Sequence, residues 1–370
     1  MNPQEQFCPN LLCSARGKTG EDNIVIHSQK ERRYKCKQCE KTFSETLGTA
    51  MYGIKKCSEL FVIVVTLLAY GCPIQAIVMA FGLDERTVRN WLKRSGEHCE
   101  KVHQQTMNEH ALELGQVQAD EIKAKTQGKS VWIALAMQVS NRLWLGGAVS
   151  YGRNKALLKS LADQIRAWAL CRPMLLAVDG LNAYVKVFQA AFRSPFKEHR
   201  GRGRPKLISW PDIAIVQVIK QRSQGDFSIT RNIAQGSVDL VARLLHTSQN
   251  DGMINTAYIE RLNATFRQRL APLARRSRAL ARTPQTLSWG MYLVGCVYNF
   301  CTDHKSLRLP IYLPHRQVHW VSRTPALAAG LTDHRWSVLE LLSFKIVPPP
   351  FVPPKRRGRP PKFAFVEVSL

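Results

Sequence analysis

Three acidic residues in this sequence have the chemical type and the local setting that metal-dependent catalysis needs. Asp120 lies in an alternating run of apolar and polar residues that is typical of a strand, and Asp179 ends the short apolar run 173–178. Glu260 falls on a helical stripe beside an apolar helix face. Two strand carboxylates and one helix carboxylate can hold two divalent cations for phosphoryl transfer. Hard oxygen ligands select Mg²⁺ or Mn²⁺.

Each of these acids also has an ordinary structural explanation. Asp120 is then an exposed strand residue, Asp179 a turn residue and Glu260 a surface charge on a helix. Their positions in the sequence do not distinguish these roles from catalysis, because isolated acidic residues are common in proteins of every class.

Four cysteines near the start of the chain have the spacing of a metal site. Cys8 and Cys13 form one pair, Cys36 and Cys39 form a second pair, and short strand-like runs lie between them. Such pairs can place four thiolates tetrahedrally around one Zn²⁺. A ribbon of ~40 residues cannot build a sufficient core, so the metal would supply much of its folding energy. The alternative is four reduced thiols in a loosely folded arm.

The elements that must position the acids follow an α/β pattern. Three β-like runs, near residues 116–120, 130–139 and 143–150, predict a three-strand meander. A helix is predicted over 155–170, and the apolar run that follows it suits a parallel strand inside a sheet. The carboxyl end of such a strand is where open α/β sheets place their sites.

Ahead of this region, two short helices joined by a glycine turn predict a helix-turn-helix unit. Gly82 can end the first helix in the left-handed conformation, and Asp84 can cap the second. Arginine and asparagine side chains read guanine and adenine edges in the major groove of DNA. The residues expected to contact DNA from the second helix are Arg86, Arg89, Asn90 and Lys93. A plain helical hairpin is the alternative.

Composition favours a polyanionic partner. The 370 residues include 53 Lys and Arg against 27 Asp and Glu, which gives a net charge of +26. This excess points to nucleic acid first and to an anionic membrane second, and the apolar content of 45% argues against wholesale disorder. The uncharged stretch Leu60–Leu83 is long enough to span a bilayer, but Gly71-Cys72-Pro73 divides it. We therefore expect no membrane association and a cytoplasmic, nucleoid-associated protein.

Several basic segments fit double-stranded DNA. Seven arginines and no acid occur between Arg261 and Arg282, which suits contacts to the phosphate backbone. The runs 200–206 and 355–362 share an Arg-Gly-Arg-Pro core that is similar to AT-hooks, which place arginines in narrow minor grooves. Basic flexible linkers are the alternative for both runs. The residues expected to contact DNA from these segments are Arg202, Arg204, Arg267, Arg357 and Arg359.

These motifs together resemble a known family of enzymes. The stretch that begins Tyr258-Ile-Glu-Arg-Leu-Asn-Ala is similar to the glutamate helix of DDE transposases of the insertion sequence one family. Asp120-Glu121 and Val178-Asp179-Gly180 resemble its two acidic strands. The resemblance implies an RNase H-like catalytic fold, with Asp120, Asp179 and Glu260 as ligands of Mg²⁺ or Mn²⁺. It also implies hydrolysis at transposon ends, strand transfer of the 3′-hydroxyl into target DNA, and a homo-oligomer.

The expected organisation has four parts. They are a zinc ribbon at 1–45, a helix-turn-helix domain at 46–105, the catalytic domain at 110–310 and a basic Pro-rich tail at 311–370. Asp179 and Glu260 are further apart than expected for compact family members, so an insertion or extended hairpin is predicted at about 190–250. A non-catalytic, transposase-derived regulator that binds DNA is the alternative function.

Overall fold

The computed structural model describes most of the chain and divides it into two compact units. The described residues are 1–126, 129–197, 204–223, 226–249, 252–274, 280–281, 283–312, 314 and 317–353. One unit contains residues 1–48 and the described residues from 345 onward, and the other contains residues 49–344. The second copy of the Arg-Gly-Arg-Pro motif, with Arg357 and Arg359, lies outside the described residues, as does Arg202.

The smaller unit is a three-stranded antiparallel sheet with very little apolar core. Its strands are β1 (Ile24–Ser28), β2 (Arg33–Cys36) and β3 (Thr42–Ser44), in that order across the sheet, after a short 3₁₀ turn at Pro3–Glu5. The stacked rings of Tyr34 and Phe43, 5.9 Å apart, form the centre of its packing. Lys345, from the far end of the chain, lies 5.9 Å above the Tyr34 ring.

The larger unit begins with three helices, α1 (Ser58–Ala69), α2 (Ile74–Phe81) and α3 (Glu85–Glu109). Gly82 ends α2 with a left-handed φ of 59°, and the Asp84 side chain accepts a hydrogen bond of 2.7 Å from the amide of Arg86 at the start of α3. Both features were predicted and are confirmed. The long uncharged stretch is divided between α1 and α2. Within the described ranges, no helix combines the length and apolar character needed to cross a membrane.

Helix α3 is longer than the sequence pattern suggested, because its C-terminal half packs inside the larger unit. It contacts α8 (Pro284–Cys296) so closely that a Cβ atom on Gly96 would lie 2.5 Å from the backbone of Trp289. The three helices therefore belong to the same compact unit as the central sheet.

The centre of the larger unit is a mixed sheet of six strands, which confirms the predicted α/β class. Its order is β11-β10-β7-β4-β5-β6. The first three strands along the chain, β4 (Gln116–Lys125), β5 (Ser130–Gln138) and β6 (Trp144–Ser150), form the expected antiparallel meander. Strand β7 (Met174–Asp179) lies parallel to β4 and is buried along its length up to its last residue.

Helices cover both faces of this sheet. Helix α4 (Lys155–Trp168) packs on β5 and β6 beside α5 (Asn182–Ala191). Helices α6 (Val238–Gln249) and α7 (Ala257–Arg269) contact β4, and a short 3₁₀ turn at Ala271–Leu273 follows α7. The apolar stripe of α4, predicted from its spacing, is buried and includes Leu158, Leu161 and Ile165.

The segment at about 190–250 contains a long antiparallel hairpin, which is one of the two alternatives that the sequence left open. Strands β10 (Ile213–Ser223) and β11 (Asp226–Gln235) belong to the central sheet, with β10 parallel to β7. The physical reason is the buried apolar run 213–216, which suits an interior parallel strand. Among the described residues of this segment, the short hairpin of β8 (Arg193–Phe196) and β9 (Lys206–Ser209) forms a separate sheet.

The segment from residue 311 differs from the tail that we expected. Strands β12 (His304–Tyr312) and β13 (Val318–Arg323) form a hairpin after a π-helical turn at Val297–Cys301. Two short helices follow, α9 (Pro325–Ala328) and α10 (Val338–Ser343). Trp336 stacks on Phe300 at 4.4 Å, and both rings are buried, which supplies this part with apolar packing that the proline pattern did not predict.

Two buried histidines make the stability of the larger unit depend on pH. The His103 ring packs against Trp144 at 4.6 Å, and its Nε2 lies 3.2 Å from the carbonyl oxygen of Leu145. A carbonyl oxygen only accepts hydrogen bonds, so Nε2 carries the proton of a neutral ring. Burial lowers the pKa of His103 to about 4, and burial does the same for His98.

We predict that acid destabilises the larger unit between pH 6.5 and pH 4. The unfolded chain takes up protons at these histidines as pH falls below about 6.5, whereas the folded chain does not. Each histidine should lower the free energy of unfolding by up to about 1.4 kcal/mol per pH unit in this range. Denaturant unfolding at pH 7 and pH 5 measures the slope. His103→Gln should reduce the dependence of the free energy of unfolding on pH, whereas the exposed control His319→Gln should leave it unchanged. Equal slopes for both variants would contradict the prediction.

Candidate metal centres

The four predicted cysteines converge in the smaller unit. The sulfurs of Cys8, Cys13, Cys36 and Cys39 all lie within 4.8 Å of one another. The Cys8–Cys39 and Cys13–Cys36 sulfur distances are 3.5 and 3.9 Å. Four sulfurs bound to one tetrahedral Zn²⁺ at ~2.3 Å would be about 3.8 Å apart, so the observed spacing fits this ion.

Two tight turns present these sulfurs. The amide of Glu40 donates to the carbonyl oxygen of Cys36 at 2.9 Å, and Glu40 adopts a left-handed φ of 57° to close that turn. In the other turn, the amide of Arg16 donates to the carbonyl oxygen of Cys13 at 3.0 Å. Burial raises the pKa of Cys8 and of Cys13, and it also opposes ionisation of Cys39, but hydrogen bonds, including one from the Lys41 backbone, lower the pKa of Cys39 to about 7. The thiolate, which is the form that binds a metal, is therefore favoured at Cys39.

The three predicted acids converge on one cavity of the larger unit. Asp120 lies on β4, Asp179 is the last residue of β7, and Glu260 lies in the first turn of α7. All three line a cavity of about 460 Å³. Positions far apart in the sequence are therefore brought together by the sheet and by one helix packed on it.

Asp120 is held by two hydrogen bonds. Its Oδ2 accepts from the buried amide of Asn263 on α7 at 2.7 Å, and its Oδ1 accepts from the backbone amide of Glu121 at 2.8 Å. Burial raises the pKa of Asp120 to about 6, and the negative charges of Asp179 and Glu121 act in the same direction. A nearby cation would reverse this effect, because it stabilises the charged form.

Asp179 is positioned at the carboxyl end of a parallel strand, as expected. Its Oδ1 accepts a hydrogen bond from the amide of Leu181 at 3.0 Å, which fixes the carboxylate beside the turn. Its Oδ2 accepts from Nη2 of Arg153 at 2.7 Å. The Asp179 carboxylate therefore lines the cavity and is neutralised there by Arg153.

Glu260 is placed by a buried glutamine of β4. Gln118 accepts a hydrogen bond from the amide of Ile259 at 3.0 Å and donates to the carbonyl oxygen of Asn255 at 2.7 Å. These bonds attach the start of α7 to the strand that carries Asp120. Burial opposes ionisation of Glu260, but hydrogen bonds from Lys220 and Thr256 lower its pKa.

The carboxylates close enough to share one cation differ in part from the predicted trio. Among the described residues, the group within 4.8 Å consists of Asp120, Glu121 and Asp179. Oxygen ligands at this spacing fit a divalent cation such as Mg²⁺ or Mn²⁺. Glu260 lines the same cavity, but it is paired with Lys220 and lies outside this group.

Sequence reasoning did not single out Glu121 or Arg153 as site residues. Glu121 adjoins Asp120, so an acid next to a candidate ligand was the available signal. Arg153 lies between β6 and α4, and nothing in its neighbours points to the cavity. Both ion pairs of Arg153, with Glu121 and with Asp179, depend on the packing of the sheet.

The predicted DNA-contacting residues on α3 differ in exposure. Arg86, Asn90 and Lys93 are exposed, whereas Arg89 is half-buried and pairs with Glu85 at 2.5 Å. Arg204 is exposed just before β9, and Arg267 is half-buried on α7.

Two comparisons with known proteins find no match. A scan against models of protein families finds none that matches this chain, and a search of curated proteins also finds no match.

We predict that the cysteine cluster binds one zinc ion and that the ion stabilises the smaller unit. Cys36→Ser should abolish zinc binding, because three remaining thiolates cannot complete the tetrahedron, and should remove amide exchange protection from β1–β3. The exposed Cys57 provides a matched control, since Cys57→Ser should retain both zinc and protection. Metal content by native mass spectrometry and hydrogen exchange of the full chain measure the two effects. Full protection of β1–β3 after chelation would contradict the prediction.

Proposed function

We propose that this protein is a DNA transposase of the DDE type, which cuts phosphodiester bonds at transposon ends and joins the new 3′-hydroxyl to target DNA. The observation that carries the proposal is the convergence of Asp120, Asp179 and Glu260 on one cavity. These residues were identified from three separate stretches of sequence. An ordinary distribution of surface acids gives no reason for all three to meet.

An RNase H-like fold is part of this proposal. The resemblance to the insertion sequence one family implies two acids on strands and a third on a helix. Here the acids lie on β4, β7 and α7, and the two strands are neighbours in one mixed sheet. This arrangement supports the assignment of residues 110–310 to the catalytic part of the chain.

The cavity supports metal-dependent phosphoryl transfer. Asp120, Asp179 and Glu260 would hold Mg²⁺ or Mn²⁺, and the bound cations would supply activation of an attacking water and stabilisation of the leaving oxygen. Asn263 and the Leu181 amide orient the two aspartates, so that the carboxylates do not reorganise during the reaction.

Two successive displacements complete the proposed reaction. Water attacks phosphorus at the element end, the P–O3′ bond breaks, and the 3′ oxygen leaves as a hydroxyl. That hydroxyl then attacks a target phosphodiester, and a new P–O bond replaces the one that breaks in the target strand. Both steps are phosphoryl transfers that need no covalent bond to the enzyme.

The rest of the chain supplies DNA binding in this proposal. Helices α2 and α3, with Gly82 and Asp84 at their junction, form the proposed helix-turn-helix. The smaller unit forms a zinc ribbon, and the Arg-Gly-Arg-Pro motifs contact minor grooves. A homo-oligomer brings two element ends together, and the net charge of +26 supports a polyanionic partner.

A regulator derived from a transposase would keep these DNA-binding parts without catalysis. Asn263 and Gln118 argue against it, because both buried side chains are used to hold the acidic site. A protein that only binds DNA has no use for such support.

We predict that Glu260→Gln abolishes DNA cleavage and leaves DNA binding intact. The amide keeps the shape of the side chain but removes the charge that holds a cation, so the rate should fall by at least about 100-fold. Nicking and joining of labelled element ends in Mn²⁺ measure the loss. Asp239→Asn is the matched control, since Asp239 is an exposed acid in the first turn of α6. DNA binding without cleavage by the wild type would favour the regulator.

We further predict that Arg86→Ala with Asn90→Ala weakens binding to element ends at least about tenfold more than binding to random DNA. Direct base contacts carry about 1–3 kcal/mol of discrimination each. Lys101→Ala changes an exposed charge further along the same helix and should leave this ratio unchanged. Fluorescence anisotropy with the two DNAs at fixed salt measures the ratio of the two affinities. An equal loss on both DNAs would exclude base readout by α3.

A further inference from the structure

Glu121 faces away from the side of β4 that carries Asp120. Successive strand residues point to opposite faces, and Asp120 points towards Asn263 of α7. The side chain of Glu121 is 0% exposed, and its two oxygens accept from Nε and Nη2 of Arg153 at 3.3 and 3.1 Å. Each oxygen of Glu121 is therefore engaged by one nitrogen of the Arg153 guanidinium.

This ion pair fixes Arg153 at the edge of the acidic cavity. Two parallel hydrogen bonds to one carboxylate set both the position and the plane of a guanidinium. The Arg153 side chain remains 35% exposed and packs near the Trp132 ring, 5.2 Å from its centre. Its third contact, Nη2 to Asp179, is the one that faces the cavity.

A cation and Arg153 compete for the same carboxylate. In the structure Arg153 neutralises Asp179. A cation bound to Asp120 and Asp179 would take over this role and would weaken the attraction between Asp179 and the guanidinium. Arg153 remains attached to Glu121, so its charge stays at the cavity and needs a new anionic partner.

From this geometry we infer that Arg153 is a phosphate-binding residue of the cavity, positioned by Glu121 and released from Asp179 when the cation binds. Its ligand is a phosphodiester oxygen of the DNA strand. Guanidinium groups bind phosphate oxygens in the same two-bond geometry that they use for carboxylates. Glu121 is then a positioning residue. The inference rests on the proposed function, because it requires a cation and a DNA strand at this site.

Binding linkage gives the inference a specific signature. Because Arg153 opposes the cation, Arg153→Gln should bind Mn²⁺ about fivefold more tightly than the wild type in the absence of DNA. An arginine with a purely structural role would leave that affinity unchanged or weaken it. In the wild type, Ca²⁺ should strengthen binding of an element-end duplex without cleavage, and Arg153→Gln should lose this gain.

The experiment is calorimetric titration of the full-length chain with Mn²⁺, followed by anisotropy with labelled duplex in Ca²⁺ or in chelator. Asp120→Asn is the control that identifies the site, because it should lose Mn²⁺ binding. Arg153→Gln leaves Glu121 buried without a cation and can fail to fold. The double variant Glu121→Gln with Arg153→Gln replaces the ion pair by two amides, and it should give the same two results.

The outcomes separate this inference from the proposed function. Tighter Mn²⁺ binding by the variant, together with loss of the Ca²⁺-dependent gain, supports a phosphate-binding Arg153. Two results overturn the role of Arg153 alone. One is normal Mn²⁺ binding by the wild type together with equal or weaker Mn²⁺ binding by Arg153→Gln. The other is an Arg153→Gln variant that retains the Ca²⁺-dependent gain in duplex binding. No difference in Mn²⁺ binding between the wild type and Asp120→Asn overturns both proposals.

Discussion

The parallel pairing of β4 with β7 is the interaction on which the acidic site depends. Its last matched pair is Ala119 opposite Val178, so the next residue on each strand is an aspartate. A shift of one residue in this register would move one carboxylate to the opposite face of the sheet. The apolar residues of β7 secure the register, because they are buried on both faces.

The same strand also positions the helix that carries Glu260. Gln118 bonds the start of α7, and Asp120, two residues further along the same face, accepts from Asn263 one turn later. The two contacts orient α7 by polar groups rather than by shape alone. Buried hydrogen bonds of this kind specify one geometry, because an unpaired buried amide would be costly.

Charge balance is the second constraint on the site. Carboxylates from three elements repel one another, and burial, followed by the charges of the neighbouring acids, raises the pKa of Asp120. In the described structure two basic side chains compensate for this, with Arg153 on Asp179 and Lys220 on Glu260. The acidic site is thus neutralised by the protein's own side chains, whereas the cysteine-rich unit, with its small apolar core, is expected to depend on a metal for folding.

The sequence by itself determined the local features of this protein. Periodicity located the meander, α4 and β7, and the chemistry of Gly82 and Asp84 located the junction of α2 and α3, since both depend on nearby residues only. The paired cysteines and the three acids were also identified from their types and settings. An extended hairpin was one of the two alternatives predicted near 190–250, but its place in the central sheet was not predicted, because strand order depends on partners that no local pattern names.

Only the tertiary structure decided which side chains meet. It placed Arg153 and Glu121 beside Asp179, and it paired Glu260 with Lys220, although these residues lie far apart in the sequence. It also stacked Trp336 on both Phe300 and Phe344. The physical reason is the same in each case. The preference of a residue for helix or strand depends on its neighbours within one or two helical turns. An ion pair or a ring stack depends instead on strand register and helix packing, which are set by the whole core.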